Sequence, residues 1–201
     1  IKVLKNGTHF YKNNKQKFNH IPPHSLFPNE LETIKKCLIR EKADGITVKE
    51  LPLNIYPNNC FKNIKAEYID YLDLYLIIDI DISFNILERY DYLRKNHHST
   101  KGLKINTITN IEELIECIKK ERKIFNKFMD EPYDTFRWYP KAAWLVNKID
   151  NNFCQELYTF INMNSPYLDY IITEGPYNND GLIITPINGD NKIKLKPKNL
   201  M

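Results

Sequence analysis

Lys42 stands in the run Glu41-Lys42-Ala43-Asp44-Gly45-Ile46. A lysine amine attacks an electrophile only after losing its proton. With an ordinary pKa near 10.4, roughly one lysine in a thousand is in that form at neutral pH. Nearby positive charge and partial burial lower the pKa, at about 1.4 kcal/mol per unit, and so activate the amine. The run Lys192-Ile193-Lys194-Leu195-Lys196-Pro197 offers such charge. Side chains alternate across a strand, so Lys192, Lys194 and Lys196 share one face while Ile193 and Leu195 pack on the other. Three aligned ammonium groups facing a cleft would hold a triphosphate and stabilise charge on its α-phosphoryl group. Plainer roles exist for both segments: a surface Lys-x-Asp-Gly turn, and a solvated edge strand whose lysines guard against aggregation.

The elements that must position these residues read as follows. Residues 1–28 are polar, with Pro22, Pro23 and Pro28, and read as irregular structure around a short strand or two. Glu30 to Ile39 reads as a helix, with Asn29 as its cap and Leu31, Ile34 and Leu38 on one face. Ile46 to Leu53, Ile64 to Ile69 and Leu74 to Ile82 read as strands, the first two separated by the turn-rich Asn54–Asn59. Ile86 to Lys95 is a short helix. Asn110 to Phe128 is the clearest helix, capped by Asn110 with Glu113 at the third position. Phe153 to Met163 is another. Leu182 to Thr185 and Lys192 to Lys196 form a hairpin turned by Asn188-Gly189. Phe136–Lys141 reads as a buried aromatic loop, and His97-His98 as partners of the preceding helix's last carbonyls. The pattern is α+β, with antiparallel strands and helices on their faces.

Bulk properties bound the reading. The 201 residues suffice for one large domain or two small ones, and 42% hydrophobic residues can build a core. A formal net charge of +4 is compatible with a polyanionic partner without requiring one. Cys37, Cys60, Cys117 and Cys154 form no Cys-x-x-Cys and read as reduced thiols of an intracellular protein. There is no signal peptide, and no apolar run is long enough to span a bilayer. His9, His20 and His24 lack metal-ligand spacing, and no Ser-His-Asp constellation or glycine-rich phosphate loop is present.

In order along the chain, Glu41–Ile46, Lys65–Ile69, Asp180–Pro186 and Lys192–Pro197 resemble the motifs of the covalent nucleotidyltransferase superfamily. That superfamily comprises the mRNA capping guanylyltransferases and the polynucleotide ligases. The Thr185-Pro186 ending of the fourth motif looks more like capping enzymes, most of all those of large DNA viruses. The resemblance implies one ATP-grasp-like, ligase-type nucleotidyltransferase domain over residues 1–201, without the oligonucleotide-binding-fold domain that follows it in the family. It implies that Lys42 attacks GTP, carries GMP as a phosphoramidate, and passes it to the diphosphate 5′ end of RNA. Lys194 and Lys196 would contact the α-phosphate. Glu41, Asp44, Gly45, Glu67, Tyr75 and Lys192 would line the nucleotide site. Asp180 and Glu67 would serve a magnesium or manganese ion. Triphosphatase, methyltransferase and oligonucleotide-binding modules would share a longer polypeptide. The setting implied is cytoplasmic, a virion or viral factory included, with the nucleus left open and no membrane.

The chain departs from the family in three places. The third motif keeps Glu67 but has Lys65-Ala66 where Asp-Gly is usual, and Asp79 and Asp81 compete for its role. Thr47 replaces an arginine common after the first motif. The gap from Lys42 to Glu67 is short. An ATP-dependent RNA or DNA ligase is the alternative enzyme, and a degenerate fold serving as a binding or scaffolding module is the alternative of another class.

Overall fold

The computed structural model describes residues 2–3, 9–10, 22–49, 51, 64–103, 108–132, 137–172, 175–187 and 191–198. In chain order the strands are β1 (Lys2–Val3), β2 (His9–Phe10), β3 (His24–Ser25), β4 (Cys37–Ala43), β5 (Ile46–Val48), β6 (Ile64–Ile69), β7 (Leu74–Ile80), β8 (Arg137–Pro140), β9 (Trp144–Val146), β10 (Asn179–Pro186) and β11 (Ile193–Leu195). The helices are α1 (Ile86–Lys95), α2 (Ile111–Met129), α3 (Asn151–Ile161) and α4 (Leu168–Ile172). The class is α+β, as the pattern suggests. The chain divides into two compact units. Residues 1–20, 45–103 and 133–141 form the first, and residues 21–44, 104–132 and 142–201 the second.

The first unit carries the sheet β5-β6-β7-β8 and the small β1-β2 pair. β5, β6 and β7 run antiparallel, but β8 lies parallel to β7. Arg137–Pro140 is therefore a strand rather than the aromatic loop read from its composition. The strand pairing gives its backbone groups partners that an isolated loop would lack. Ile64, Ala66, Ile77 and Ile80 pack with Tyr92 and Leu93 of α1. The Asn85 side chain accepts from Leu87 N and Glu88 N and starts α1 where the sequence places it. His97 does not cap that helix. Its ring bonds Trp138 O at 2.9 Å, and it is the Asn96 side chain that donates to Tyr92 O.

The second unit carries the sheet β3-β11-β10-β4-β9. Only the β11–β3 pair is parallel. Both larger sheets are thus mixed rather than wholly antiparallel. One face of this sheet presents Cys37, Ile39, Leu182, Ile184, Ile193 and Leu195 to α2 and α3. Phe153, Leu157 and Phe160 of α3 are fully buried there, each contributing about 1.5–3 kcal/mol by burial. Asn110 accepts from Glu113 N, and Glu113 returns to Thr109 N, which closes the start of α2. Asp150 accepts from Phe153 N, so α3 starts at Asn151, earlier than its apolar spacing suggests.

The helix expected over Glu30–Ile39 does not form. Leu31–Thr33 makes one 3-10 turn, and the chain is in β4 by Cys37. Asn29 has φ 59° and caps nothing; Glu30 instead accepts from His24 and from Phe27 N. Leu31, Ile34, Cys37 and Ile39 reach the same core as an extended segment. Pairing of β4 with both β10 and β9 overrides the helical spacing. The turns expected at Asn54–Asn59 and Asn188-Gly189, and Cys60, lie outside the described residues. β10 and β11 pair as expected of the hairpin.

Candidate functional site

The second unit gathers most of the candidate residues on one sheet. β4 and β10 pair Arg40 with Ile183, and β10 and β11 pair Ile183 with Lys194. Paired residues share a face. Arg40, Lys42 and Lys194, with Lys192 and Lys196 flanking β11, therefore lie on the face opposite the apolar core. Exposure alternates as expected: Ile193 and Leu195 are buried, and Lys192, Lys194 and Lys196 are half-buried.

Asp180 is the focus of this face. Lys42 Nζ donates to both of its carboxylate oxygens, at 2.9 and 3.0 Å. Lys196 Nζ lies 3.4 Å from Asp180 Oδ2. Lys42, Asp180 and Lys196, from three separate segments of the sequence, thus meet at one carboxylate. The side chains of Lys42 and Asp180 are 21% and 19% exposed, so solvent and a ligand can still reach them.

A bulge aims Asp180. Asn179 pairs with Ala43 and Leu182 with Glu41, so β10 holds one extra residue against β4. Gly181 takes φ +145°, and a Cβ there would lie 2.2 Å from Leu195 O. Glycine is required by the backbone itself. The bulge turns Asn179 inward and leaves Asp180 beside Lys42. Gly45 has a different reason to be glycine. A Cβ would meet Ile69 Cδ1 at 2.7 Å and Tyr68 O at 2.9 Å, so its bareness serves the packing of β6 in the first unit. Asp44 is exposed, and its backbone N–H donates to Asn178 O.

Glu41 lies on the core face, away from Lys42. It is 5% exposed, and Oε1 accepts from Arg122 Nη2 at 2.6 Å and from Asn179 Nδ2 at 2.8 Å. Arg122 also donates to the carbonyls of Tyr170 and Ile171. Sequence reasoning missed this buried network, because Arg122 reads as one more charge on α2. Its signal was a Glu in step with Cys37 and Ile39, two positions apart along one strand face.

Glu67 and Tyr75 belong to the first unit. β6 and β7 pair Glu67 with Leu76 and Tyr68 with Tyr75, which sends Glu67 and Tyr75 to opposite faces. Tyr75 packs against Tyr68 with their rings tilted at 38° and centroids 4.7 Å apart, beside the apolar cluster next to α1. Glu67 shares its face with Lys65 and Asp79. Glu67 Oε2 is buried with no hydrogen-bond partner among the described residues. Asp79 is taken up by Arg89, whose Nε donates to Oδ1 at 2.8 Å, and by Ile80 N. Burial lowers the pKa of Lys65, while Asp79 and Glu67 oppose that shift. Of the two rivals for the third motif, Glu67 is the one with a spare acceptor. Asp81 lies past the end of β7.

Among the described residues no group of three or more His, Cys, Asp or Glu side chains could hold a metal, and no helix is long and apolar enough to cross a membrane. Among the described residues Cys37, Cys117 and Cys154 form no disulfide. A groove of about 820 Å³ runs along α2 past Tyr167 and Tyr170, and none of the candidate residues lines it. Comparison with protein-family models, with curated proteins and with solved structures finds no match.

Proposed function

We propose that this chain carries the nucleotidyltransferase fold and acts as an mRNA guanylyltransferase. The observation that supports this reading is the convergence of Lys42, Asp180 and Lys196 from three separate sequence motifs. Lys42 Nζ attacks the α-phosphorus of GTP. An N–P bond forms, the P–O bond to pyrophosphate breaks with its electron pair, and the amine loses a proton. A terminal oxygen of diphosphate-ended RNA then attacks the same phosphorus, the N–P bond breaks, and Lys42 takes a proton back. Lys194 and Lys196 offset the charge on the α-phosphoryl oxygens.

Asp180 offers a hard carboxylate of the kind magnesium or manganese takes, and such an ion draws most of its other ligands from phosphate and water. Asp180 is 19% exposed, which leaves its carboxylate open to such an ion. Such an ion would neutralise phosphate charge as pyrophosphate leaves. The wording Thr185-Pro186 favours a capping enzyme over a ligase.

Incubation with radiolabelled GTP or ATP and magnesium, followed by denaturing electrophoresis, tests the reading. Label from GTP on Lys42 supports it. Label from ATP alone transfers the assignment to a ligase, and no label from either favours a binding or scaffolding module.

A further inference from the structure

The face behind Lys42 carries a chain of hydrogen bonds that no motif accounts for. Arg122 Nη2 donates to Glu41 Oε1 at 2.6 Å. Asn179 Nδ2 donates to the same oxygen at 2.8 Å. Gly181 N donates in turn to Asn179 Oδ1 at 2.9 Å. Each side chain in it is at least nine-tenths buried: Arg122 is 8% exposed, Glu41 5% and Asn179 5%. The chain begins on α2, crosses β4 at the residue next to Lys42, and ends on β10 at the residue after Asp180. Asp180 is thus enclosed between two residues, Asn179 and Gly181, that are bonded to one another.

We infer that Arg122, Glu41 and Asn179 are positioning residues that hold the β10 bulge, and through it hold Asp180 at Lys42. This rests on the guanylyltransferase reading for its catalytic consequence but not for its geometry. A bulge has an unpaired residue and a backbone free to twist. Here Gly181 adopts a conformation that only glycine takes readily, so local preference alone does not fix it. The Asn179 side chain supplies the missing constraint by accepting from Gly181 N. Asn179 can accept there only because its amide end is engaged by Glu41. Arg122 faces Glu41 in the core and offsets the cost of burying its charge. The polarity of every link is therefore set from the arginine outward.

That polarity gives the test. Asn179→Ala removes the middle link and leaves the Glu41–Arg122 pair whole, so the unit still folds. Asn179→Asp sets a second carboxylate against Glu41. Combining it with Glu41→Gln moves the carboxylate one link along and keeps the total charge; because Glu41 Oε1 takes both bonds, the new amide must turn its N–H toward position 179 for each donor to meet an acceptor. Two quantities are read: hydrogen exchange of the Gly181 amide by NMR, and the single-turnover rate of lysine–GMP formation against GTP concentration.

The expected result for Asn179→Ala is at least tenfold faster Gly181 exchange. The saturating rate should fall at least tenfold, with the half-saturating GTP concentration within about threefold of wild type. Asn179→Asp should do the same or worse, and the double variant should return both quantities to within threefold of wild type. Unchanged Gly181 exchange in Asn179→Ala overturns the inference. So does a wild-type saturating rate in a variant that has lost the Gly181 protection, or a double variant no better than Asn179→Asp. If the wild-type protein forms no adduct with any nucleotide, the proposed function falls, and Gly181 exchange in the three variants alone decides whether the relay holds the bulge.

Discussion

Lys42 and Asp180 stand 138 positions apart in the chain and join through two hydrogen bonds, at 2.9 and 3.0 Å. Their strands are direct neighbours, so the contact is built into the sheet rather than made by a loop. A partly exposed pair of this kind contributes on the order of 1 kcal/mol to stability. Its weight in catalysis should be larger. Asp180→Asn is expected to slow adduct formation about 100-fold or more, with a shift of only a few degrees in thermal midpoint. Undiminished labelling by this variant would reduce Asp180 to a surface ion-pair partner.

Lys42→Ala should abolish the covalent adduct, which peptide mass spectrometry would otherwise locate on Lys42. Folding should hardly suffer, because Asp180 keeps Lys196 at 3.4 Å and no core packing is lost. Labelling that survives the substitution would sink the assignment of the nucleophile.

The three lysines near the end of the sheet should separate by function. Lys194 and Lys196 lie on the Lys42 face, and Lys196 touches Asp180. Lys198 is exposed. Alanine at 194 or 196 should cut nucleotidyl transfer by more than it weakens folding. Alanine at 198 should change neither. Equal effects at all three positions would favour a merely solvated strand.

Gly181→Ala tests the bulge directly. The added methyl would meet Leu195 O at 2.2 Å, and the backbone has φ +145°. The cost should be about 2–4 kcal/mol, above that of an ordinary surface change. Urea denaturation measures it, and a loss below about 0.5 kcal/mol would show that β10 relaxes freely.

Cys37 sits in the core of the second unit, and burial pushes its thiol from 9.0 up to about 12. The folded thiol stays neutral where the unfolded one ionises. Its contribution to stability is therefore whole below pH 9.0 and is lost as the pH rises toward 12. The loss is at most about 1.4 kcal/mol per pH unit. Cys37→Ala should flatten the alkaline fall in stability measured by urea titration. A fall equally steep in both proteins would place its cause elsewhere.

Much of the site could be read before the fold. β11 alternates as its lysines imply, and Asp180-Gly181 is a real backbone unit. α1 and α2 follow their caps and periods, because a cap is a local bond. What escaped was set by distant partners. Leu31, Ile34 and Leu38 carry helical spacing, but Cys37–Ala43 is drawn into the sheet by β9 and β10. Trp144–Val146 and Leu168–Ile172 are too short to show a period. Glu41 looked like part of the nucleotide site because it adjoins Lys42. On a strand, adjacency means opposite faces, and Glu41 points into the core. Gly45 reads as a glycine that lets the backbone approach a ligand, and the structure adds that a Cβ there would meet Ile69 Cδ1 and Tyr68 O.

The order of strands also sets when the site can exist. β4 is made before both of its neighbours, β9 and β10. At about 5–20 residues per second of synthesis, Lys42 waits on the order of 7 to 30 seconds for Asp180 to be made. Until then β4 lacks its β10 partner, and an unpaired strand edge is at risk of joining another nascent chain. The pairing that completes the nucleophile's surroundings is also the pairing that ends this exposure. A translation product broken off before Asn179 would keep its reactive-type lysine but lack the carboxylate that receives it.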